Sequence, residues 1–413
     1  MSDLIKSTSQ YMPRYIPYLG DVDWSQINRA QNLDPSSDFP SEKLEELGTD
    51  GKLGTIKETG VIGCSLTQRE HDSLEFYLAL ANKASGDSVT LADFAASAGD
   101  ICTYLTDKSD AIVGTLWYPR QRLLSLGLSI GDPKAIVDRS FTFTGEDALI
   151  LQTTNKYLIF KKYTVASGEE GSGVDVEITL DDPAAVENPE DAGKFMLRVT
   201  KYTLATGDTD ELTEGAANDY TSTADLLTIT TECAVGDVIK YYYSSASWVT
   251  SPALPFITNE ALLNAVRADS VVLYLGSGGR LHKVQSASLS VDLSREDISE
   301  IGAKDIVERS VLDNAVSVDL GKLLDTDMTL EEVLRGNSNG ILDSNNYASD
   351  LTFMIAVYTD STHETFKLGY KVTDMTAGSA RPGTGAVGAN VDSGVTLTSD
   401  NLLITTLEED LDL

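Results

Sequence analysis

Residues 281–302 read LHKVQSASLSVDLSREDISEIG. From Ala287 to Leu293 every second residue is apolar, and the residues between are small and polar, which is typical of a β-strand with one buried face. The strand runs into an acidic segment that ends at Gly302. A second alternating strand is predicted at 314–321. The pattern therefore predicts two neighbouring strands joined by a long loop.

The same pattern occurs 254 residues earlier in the chain. Residues 44–48 (LEELG) correspond to residues 298–302 (ISEIG), and a strand and a helix follow each segment at the same spacing. The two predicted helices are 72–81 (DSLEFYLALA) and 327–335 (DMTLEEVLR). Both have N-cap residues at the start, and Asn82 or Gly336 follows the end, where a left-handed residue is favoured. This agreement predicts a tandem duplication.

The fold class is therefore expected to be mainly β, because most other segments are short β-branched and aromatic runs between turn residues. Two similar β-sandwich or barrel domains, each with one flanking helix, are expected at 1–150 and 269–413. An inserted β domain is expected at 151–250, beginning with an acidic, glycine-rich loop. Residues 251–268 are expected to form a linker with a short helix near its end.

The composition limits the classes of function. The chain has 413 residues, with 64 acidic and 31 basic ones, for a net charge of −33. This balance argues against a protein that clamps nucleic acid, because phosphate contacts need Lys and Arg. No apolar run approaches the roughly 20 residues of a membrane span, and the N-terminus lacks a signal-peptide pattern. We expect a protein made and kept in the cytoplasm until assembly. Surface carboxylate also suits a halophilic host, although the 18 lysines weaken that interpretation.

No catalytic or metal-binding pattern emerges from the sequence. Cys64, Cys102 and Cys233 are far apart and in apolar or β-like contexts, so buried thiols are expected. The three histidines stand alone, without metal-ligand spacing. The glycine-rich stretch 276–280 is followed by an alternating strand, so we expect a hairpin turn there rather than a phosphate loop. Neither a cofactor nor an enzymatic activity is predicted.

The order of elements in each repeat resembles a known family. A strand at 281–293 runs into 295–302, a second strand follows, then a single helix, and 395–404 is predicted as one late strand. This order is similar to that of the major tail tube protein of long-tailed (siphovirus-like) bacterial and archaeal viruses, in its tandem-duplicated type. The resemblance covers both repeats but not the insert.

The resemblance implies a fold and an assembly. The inner strands of such domains join around a ring into a continuous barrel, and a duplicated chain forms a trimer that imitates a hexamer. Rings stack helically into a tube that conducts DNA into the host cell. The implied partners are other copies of the chain, the tape measure, the terminator, and the baseplate or tip. The implied location is the virion tail, assembled in the host cytoplasm, with the insert as an exterior decoration.

Two sets of residues follow as site predictions. A polar strand face free of Lys and Arg would let DNA slide past. The residues predicted to line the channel are His282, Ser286, Ser288, Ser290, Asp292, Ser317, Asp319, Gly63 and Ser65. The loops 48–60 and 302–314 are predicted to make ring-to-ring contacts, through Gly48, Asp50, Lys52, Lys57, Gly302, Lys304, Asp305, Glu308 and Arg309. DNA is expected to pass without specific binding, and no membrane contact is expected.

Other interpretations remain open. A surface or adhesin-like β-sandwich protein that binds carbohydrate or cells would explain the strands and turns, although no export signal supports it. A β-rich polysaccharide-degrading enzyme should have an aromatic groove with facing carboxylates, and the chain has only three tryptophans. A tail terminator or the first tube ring could share the fold. Microscopy of the purified protein separates these cases.

Overall fold

The structure is a computed structural model of the chain. It describes residues 14–23, 25–27, 29–38, 41–44, 54–57, 61–70, 72–95, 98–106, 112–132, 134–145, 147–152, 155–180, 185–188, 191–215, 219–247, 265–276, 279–298, 308–311, 314–323, 350–384 and 392–412. We refer to residues 14–152 as the first part, 155–247 as the middle part and 265–412 as the last part. The fold is mainly β with large antiparallel sheets, as predicted.

The described elements of the first part are β1 (Arg14–Pro17), β2 (Ser25–Gln26), β3 (Ala30–Asp38), β4 (Ser41–Leu44), β5 (Gly54–Lys57), β6 (Val61–Arg69), α1 (Glu75–Leu80), β7 (Ser88–Thr90), α2 (Leu91–Ala95), β8 (Gly99–Thr106), β9 (Ile112–Ile130), β10 (Asp138–Gly145) and β11 (Leu149–Gln152). Those of the middle part are β12 (Tyr157–Thr164), β13 (Val176–Thr179), β14 (Met196–Thr203), β15 (Asp208–Glu211), β16 (Tyr220–Ser222), β17 (Leu226–Ile229) and β18 (Val238–Ser245). Those of the last part are a 3₁₀ turn (Ala268–Ser270), β19 (Val271–Leu275), β20 (Gly279–Arg280), β21 (Val284–Asp292), β22 (Arg295–Ile298), β23 (Glu308–Val311), β24 (Ala315–Leu323), β25 (Leu351–Tyr358), β26 (Phe366–Thr384), β27 (Asp392–Ser399), β28 (Leu403–Thr405) and a 3₁₀ turn (Glu408–Leu411).

One continuous antiparallel sheet runs through the first and last parts. Its strand order is β3–β6–β10–β9–β21–β24–β27–β26, and we call it the main sheet. Strands β9 and β26, each 19 residues long, also extend into a second layer. There β9 pairs with β8 and β11, and β26 pairs with β25 and β28. These smaller layers are the back sheets.

The strand pairings of the first part recur in the last part at a spacing of 254 residues. The pair β3–β6 corresponds to β21–β24, β6–β10 to β24–β27, and β9–β11 to β26–β28. The hairpins β4–β5 and β22–β23 also share this spacing. Two further pairs join the parts to each other, namely β9–β21 in the main sheet and β7–β28 behind it.

The hydrophobic core lies between the main sheet and the back sheets. Every second residue of the main sheet points inward, including Leu66, Phe141, Leu289 and Val318, each at most 1% exposed. A single buried cluster includes these residues and reaches from the first part to the last. Burying apolar area at roughly 25 cal/mol per Å² therefore stabilises the contact between the first and last parts.

Several sequence predictions need correction at the level of individual elements. The prediction of one strand over 395–404 is wrong, because β27 ends at Ser399 and β28 begins at Leu403. Between them, the Ser399 hydroxyl accepts a hydrogen bond from the Asn401 amide (3.0 Å) and closes a turn. Helix α1 is shorter than the predicted 72–81, and α2 was not predicted.

The end of α1 and the thiols behave as expected, but the predicted N-cap does not. Leu74 is the N-cap residue and makes no side-chain capping hydrogen bond, while the Ser73 hydroxyl accepts the Glu75 amide from one position earlier (3.2 Å). Asn82 has a φ of 55°, the predicted left-handed conformation after α1. The helix predicted at 327–335, with Gly336 after it, lies outside the described residues. Most of the linker in which a short helix is expected (251–268) also lies outside the described residues. At its end, Arg267 forms an isolated bridge with Ile136, and a 3₁₀ turn begins at Ala268. The three cysteines are buried, and burial raises the pKa of Cys64 to about 12 and that of Cys102 to about 11.

Candidate channel and assembly surface

The outward face of the main sheet carries small polar side chains on every strand from β3 to β27. The side chains of this polar face alternate with the core residues, as the two-residue repeat of a strand requires. They are Asp34 and Ser36 of β3, Gly63, Ser65 and Thr67 of β6, Ser140 and Thr142 of β10, Ser125, Gly127 and Ser129 of β9, Ser286, Ser288, Ser290 and Asp292 of β21, Ser317 and Asp319 of β24, and Thr396 and Thr398 of β27.

Six of the predicted channel residues lie on this face in the last part of the chain, namely Ser286, Ser288, Ser290, Asp292, Ser317 and Asp319. Ser288 is opposite Asp319, and Ser290 is opposite Ser317. The hydroxyl of Thr396 donates a hydrogen bond to Asp319. Ser286 lies over Gly321, where a Cβ would come within 2.6 Å of the Ser286 hydroxyl. The sheet thus brings these side chains together.

The two residues predicted from the first repeat also belong to the polar face. Ser65 is exposed and lies opposite Asp34 on one side and Thr142 on the other. Gly63 is buried, and a Cβ at this position would collide with the Phe143 carbonyl oxygen. A glycine therefore allows β6 and β10 to approach closely at this point.

His282 stands apart from the other predicted residues. It precedes β21 and is exposed beside Arg280 and Lys283, at the rim of a surface cavity that Ile130 also lines. The bulge between Val284 and Ser286 shifts the alternation, so the strand pattern does not extend back to this histidine.

The charge of the polar face is weakly negative. Asp34, Asp292 and Asp319 are exposed on it. Among the outward side chains that the structure describes in these strands, the cations are Arg69 and Arg122, near the two ends of β10. Arg69 forms an ion pair with Asp138 (2.7 Å). Such a surface offers a polyanion few sites for tight phosphate contacts.

Sequence reasoning missed the contribution of β9, β10 and β27 to this face. The signal was present, because Ser125, Gly127 and Ser129 alternate with leucines in LSLGLSI (124–130), and Ser140, Thr142 and Thr144 alternate in β10. What the sequence could not supply was the pairing of β9 with β21, with Ser290 opposite Gly127. That pairing joins the polar faces of the two parts.

The predicted ring-contact loops lie partly within the strand pairs β4–β5 and β22–β23. Lys57 ends β5, and Glu308 and Arg309 begin β23, so these positions are strand rather than loop. Lys57 is opposite Ser41, and Glu308 and Arg309 are opposite Ile298 and Asp297, so backbone pairing includes these three positions. Gly48, Asp50, Lys52, Gly302, Lys304 and Asp305 lie outside the described residues.

A buried polar cluster holds the first part against the last. The Glu70 carboxylate accepts hydrogen bonds from Arg139 (3.2 Å), Tyr77 (3.1 Å) and Tyr370 (2.9 Å). Arg139 also donates to Gln68 (2.9 Å). These side chains are buried, and burial together with Glu70 raises the pKa of Tyr370 well above its ordinary value. Because Tyr370 comes from the last part, the cluster fixes the relation between the two parts.

The middle part packs on the back sheet of the first part through a second buried polar cluster. Arg198 forms an ion pair with Asp100 (2.8 Å), and its guanidinium lies over the ring of Tyr18, 4.4 Å from the ring centre. Burial alone would lower the pKa of Arg198, but Asp100 raises it above its ordinary value. The apolar part of the contact includes Trp117 stacked on Tyr242, with ring centres 5.6 Å apart.

Lys240 is a buried cation in the same contact. Its ammonium donates a hydrogen bond to the Pro17 carbonyl (3.0 Å). Burial, and secondarily the nearby Lys162, lowers the pKa of Lys240 to about 7. Because burial disfavours the charged form of Lys240, the lowered pKa indicates that the contact between the two parts is close and excludes water.

No group of three or more His, Cys, Asp or Glu side chains is placed to hold a metal ion in the described ranges. None of the helices described here has the length and apolar character to cross a membrane.

Comparison with known proteins gives similarity only at the level of solved structures. No protein-family model matches the chain, and no curated protein matches it. The chain is similar to a protein of the PVC sheath–tube complex, an extracellular contractile injection system in its extended state, with 10% identity and a TM-score of 0.28 over 34% of this chain and 92% of that one. It is also similar to the tube-terminating cap of the anti-feeding prophage, with 14% identity and a TM-score of 0.30 over 36% of this chain and 96% of that one. Both matches leave most of this chain outside the aligned region.

Proposed function

We propose that this chain is the structural subunit of a viral tail tube. Three chains form a ring, each contributing two similar domains that take successive places, and the rings stack helically into a hollow tube for DNA. The observation that carries the proposal is the pairing of β9 with β21. It fuses the sheets of the two parts into one sheet with a polar outward face and an apolar inward face.

The sheet has the size needed for such a tube. Eight strands per chain give about 24 strands in a trimer, and strands about 4.8 Å apart, tilted by about 40°, close into a barrel about 48 Å across between backbones. Short side chains leave a clear bore of about 40 Å, which admits a DNA duplex of about 20 Å. A dimer with about 16 strands would leave only about 24 Å, so a trimer fits the duplex and its hydration better.

Ring closure uses the two ends of the main sheet. Among the described residues, β3 pairs only with β6, and residues 379–384 of β26 pair only with β27. At the 254-residue spacing, β3 corresponds to β21, and residues 379–384 correspond to residues 125–130 of β9. Those two counterparts pair with each other inside the chain, where Ser290 lies opposite Gly127. In the same register, Ser36 of one chain faces Arg381 of the next. The three contacts between chains then have the same strand register as the β9–β21 pairing within each chain.

Two prolines bear on this edge pairing. Pro35 in β3 and Pro382 in β26 fall opposite each other in the proposed register. Each lacks an N–H donor, so the ladder forms without those bonds at that level. Prolines on open strand edges also prevent indiscriminate pairing of free chains. The proposed closure therefore depends on both chains being aligned by the rest of the junction.

The chemistry of the bore supports passage rather than binding. Serine, threonine, glycine and aspartate present no strong phosphate contacts, so counterion release does not hold the DNA. The hairpin tips 45–53 and 299–307 are the proposed ring-to-ring contacts. The middle part is the proposed exterior decoration, because it packs on a back sheet, away from the polar face. The tape measure, terminator, and baseplate or tip are the further proposed partners, in a virion tail assembled in the host cytoplasm.

Negative-stain microscopy of the purified protein tests this proposal. Long tubes with a central channel and threefold end-on averages are the expected result. Single rings that never stack would favour a terminator or a first ring. Chains that stay monomeric at every concentration would contradict the tube and favour a surface β-sandwich protein.

A further inference from the structure

Strand β11 is an edge strand that carries an exposed isoleucine. On one side it pairs with β9, where Ile150 lies opposite Leu116, and in the described part of the chain it pairs with no other strand. Ile150 is 56% exposed, whereas its neighbour Leu151 is 1% exposed. An open strand edge with a large aliphatic side chain readily accepts another strand, and proteins usually charge or cover such edges.

The strand at the corresponding position of the last part is covered. Strand β28 pairs with β26 in the same register, so that Ile404 lies opposite Tyr370 as Ile150 lies opposite Leu116. The other edge of β28 carries β7, with Val89 opposite Ile404. Ile404 is fully buried as a result. The same position is thus buried where a strand lies along it and exposed where none does.

We propose that the open edge of β11 receives a strand from a second copy of this chain, which buries Ile150 as β7 and its surroundings bury Ile404. The proposal rests on the proposed function, because it uses the ring neighbour. Two observations favour a second copy over an unrelated protein. The chain already covers the equivalent edge with its own strand. Inside the chain, β9–β21 and β7–β28 both pair where the first part meets the last part. Because β3 corresponds to β21 and β11 corresponds to β28, a neighbouring chain that pairs with β3 also reaches β11.

The residues next to Ile150 suit such a contact. Leu116, its cross-strand partner, is only partly buried and packs on the edge of the core cluster. It occupies the position at which Tyr370 enters the Glu70 cluster in the internal junction. Leu116 and Ile150 thus stand where the internal junction has Tyr370 and Ile404. The side of the proposed contact that β11 and β9 supply at this point is therefore aliphatic and brings no charge that would need a buried partner.

The Ile150→Lys variant tests the proposal, and Leu204→Lys is its matched control. Leu204 is 57% exposed and lies in the middle part, away from both sheet edges, so both variants place a lysine at an exposed aliphatic site. Circular dichroism confirms that each variant is folded, and sedimentation velocity measures the concentration at which rings or tubes form. We expect Ile150→Lys to raise that concentration by about tenfold or more and Leu204→Lys to leave it unchanged.

Hydrogen exchange on the unmodified protein gives an independent readout. The amides of 149–152 should exchange more slowly in assembled protein than in dissociated chains. Unchanged exchange there in assembled tubes, or normal assembly of Ile150→Lys, would overturn this inference and leave the proposed tube intact. A wild-type chain that never self-associates would overturn both.

Discussion

Replacing Glu70 tests how the first and last parts of the chain are held together. Its carboxylate is fully buried beside Arg139 and accepts hydrogen bonds from Tyr77 and Tyr370. Glu70→Gln keeps the shape of the side chain but removes the negative charge beside a buried guanidinium. Breaking a buried ion pair in this way costs about 3–5 kcal/mol, a large share of the roughly 5–15 kcal/mol by which a protein is stable. We expect the free energy of unfolding to fall by about 3 kcal/mol or more.

The assay is equilibrium unfolding in urea, followed by circular dichroism. Glu211→Gln is the control, because Glu211 and Arg120 form an ion pair (3.2 Å) with side chains 34% and 46% exposed, and such a pair contributes only about 0–1 kcal/mol. Tyr370→Phe removes one hydrogen bond to the carboxylate and should cost about 1.5–3 kcal/mol. If Glu70→Gln cost no more than Glu211→Gln, the buried cluster would not hold the two parts together.

Three further predictions concern other parts of the molecule. Lys240 has a folded-state pKa of about 7, below the unfolded value of about 10.4, so the unfolded chain binds more protons between these pH values and stability rises with pH there. From pH 7 to 9, urea unfolding should show the wild type gaining about 2 kcal/mol relative to Lys240→Met, and a constant difference would contradict the burial of a charged lysine. The double variant Ser288→Arg, Ser290→Arg should form tubes that retain DNA, with retention lost as salt increases; a filter-binding series that finds no retention would argue against these residues facing the bore. Asp93→Ala should cost about 1 kcal/mol in thermal unfolding, because the Asp93 carboxylate accepts the Thr90 amide (2.7 Å), and an unchanged midpoint would mean that α2 does not depend on this cap.

Local patterns in the sequence predicted local structure well. The alternation predicted over 281–293 and 314–321 gave the correct inward and outward faces from Ser286 onward, because a strand with one buried face has a strict period of two, but it failed at His282, which precedes the strand. Asn82 was correctly placed after α1, since few residues tolerate its conformation. Helix α2 had a signal that was overlooked, because Thr90 and Asp93 have the spacing of a capping box.

The sequence could not predict features that depend on distant contacts. Alternation assigns a face to β9 and to β21 but does not say that they pair, because register between remote strands is set by the whole fold. Charged residues usually lie on the surface, so nothing in the sequence marks Glu70, Arg139, Asp100, Arg198 and Lys240 as buried. They are buried because each meets its partner across a junction between parts of the chain. The polar face was therefore partly foreseen, and the junctions were not.

A cross-link between the two open edges of the main sheet tests the central claim most directly. In the proposed register Ser36 and Arg381 of different chains lie opposite each other, at a separation that a disulfide can span. Tubes of the Ser36→Cys, Arg381→Cys double variant, oxidised and run on a non-reducing gel, should give cross-linked species that end at three chains, and each single variant should give one chain. Tubes that yield only single chains, or a ladder that continues beyond three, would contradict a closed ring of three chains.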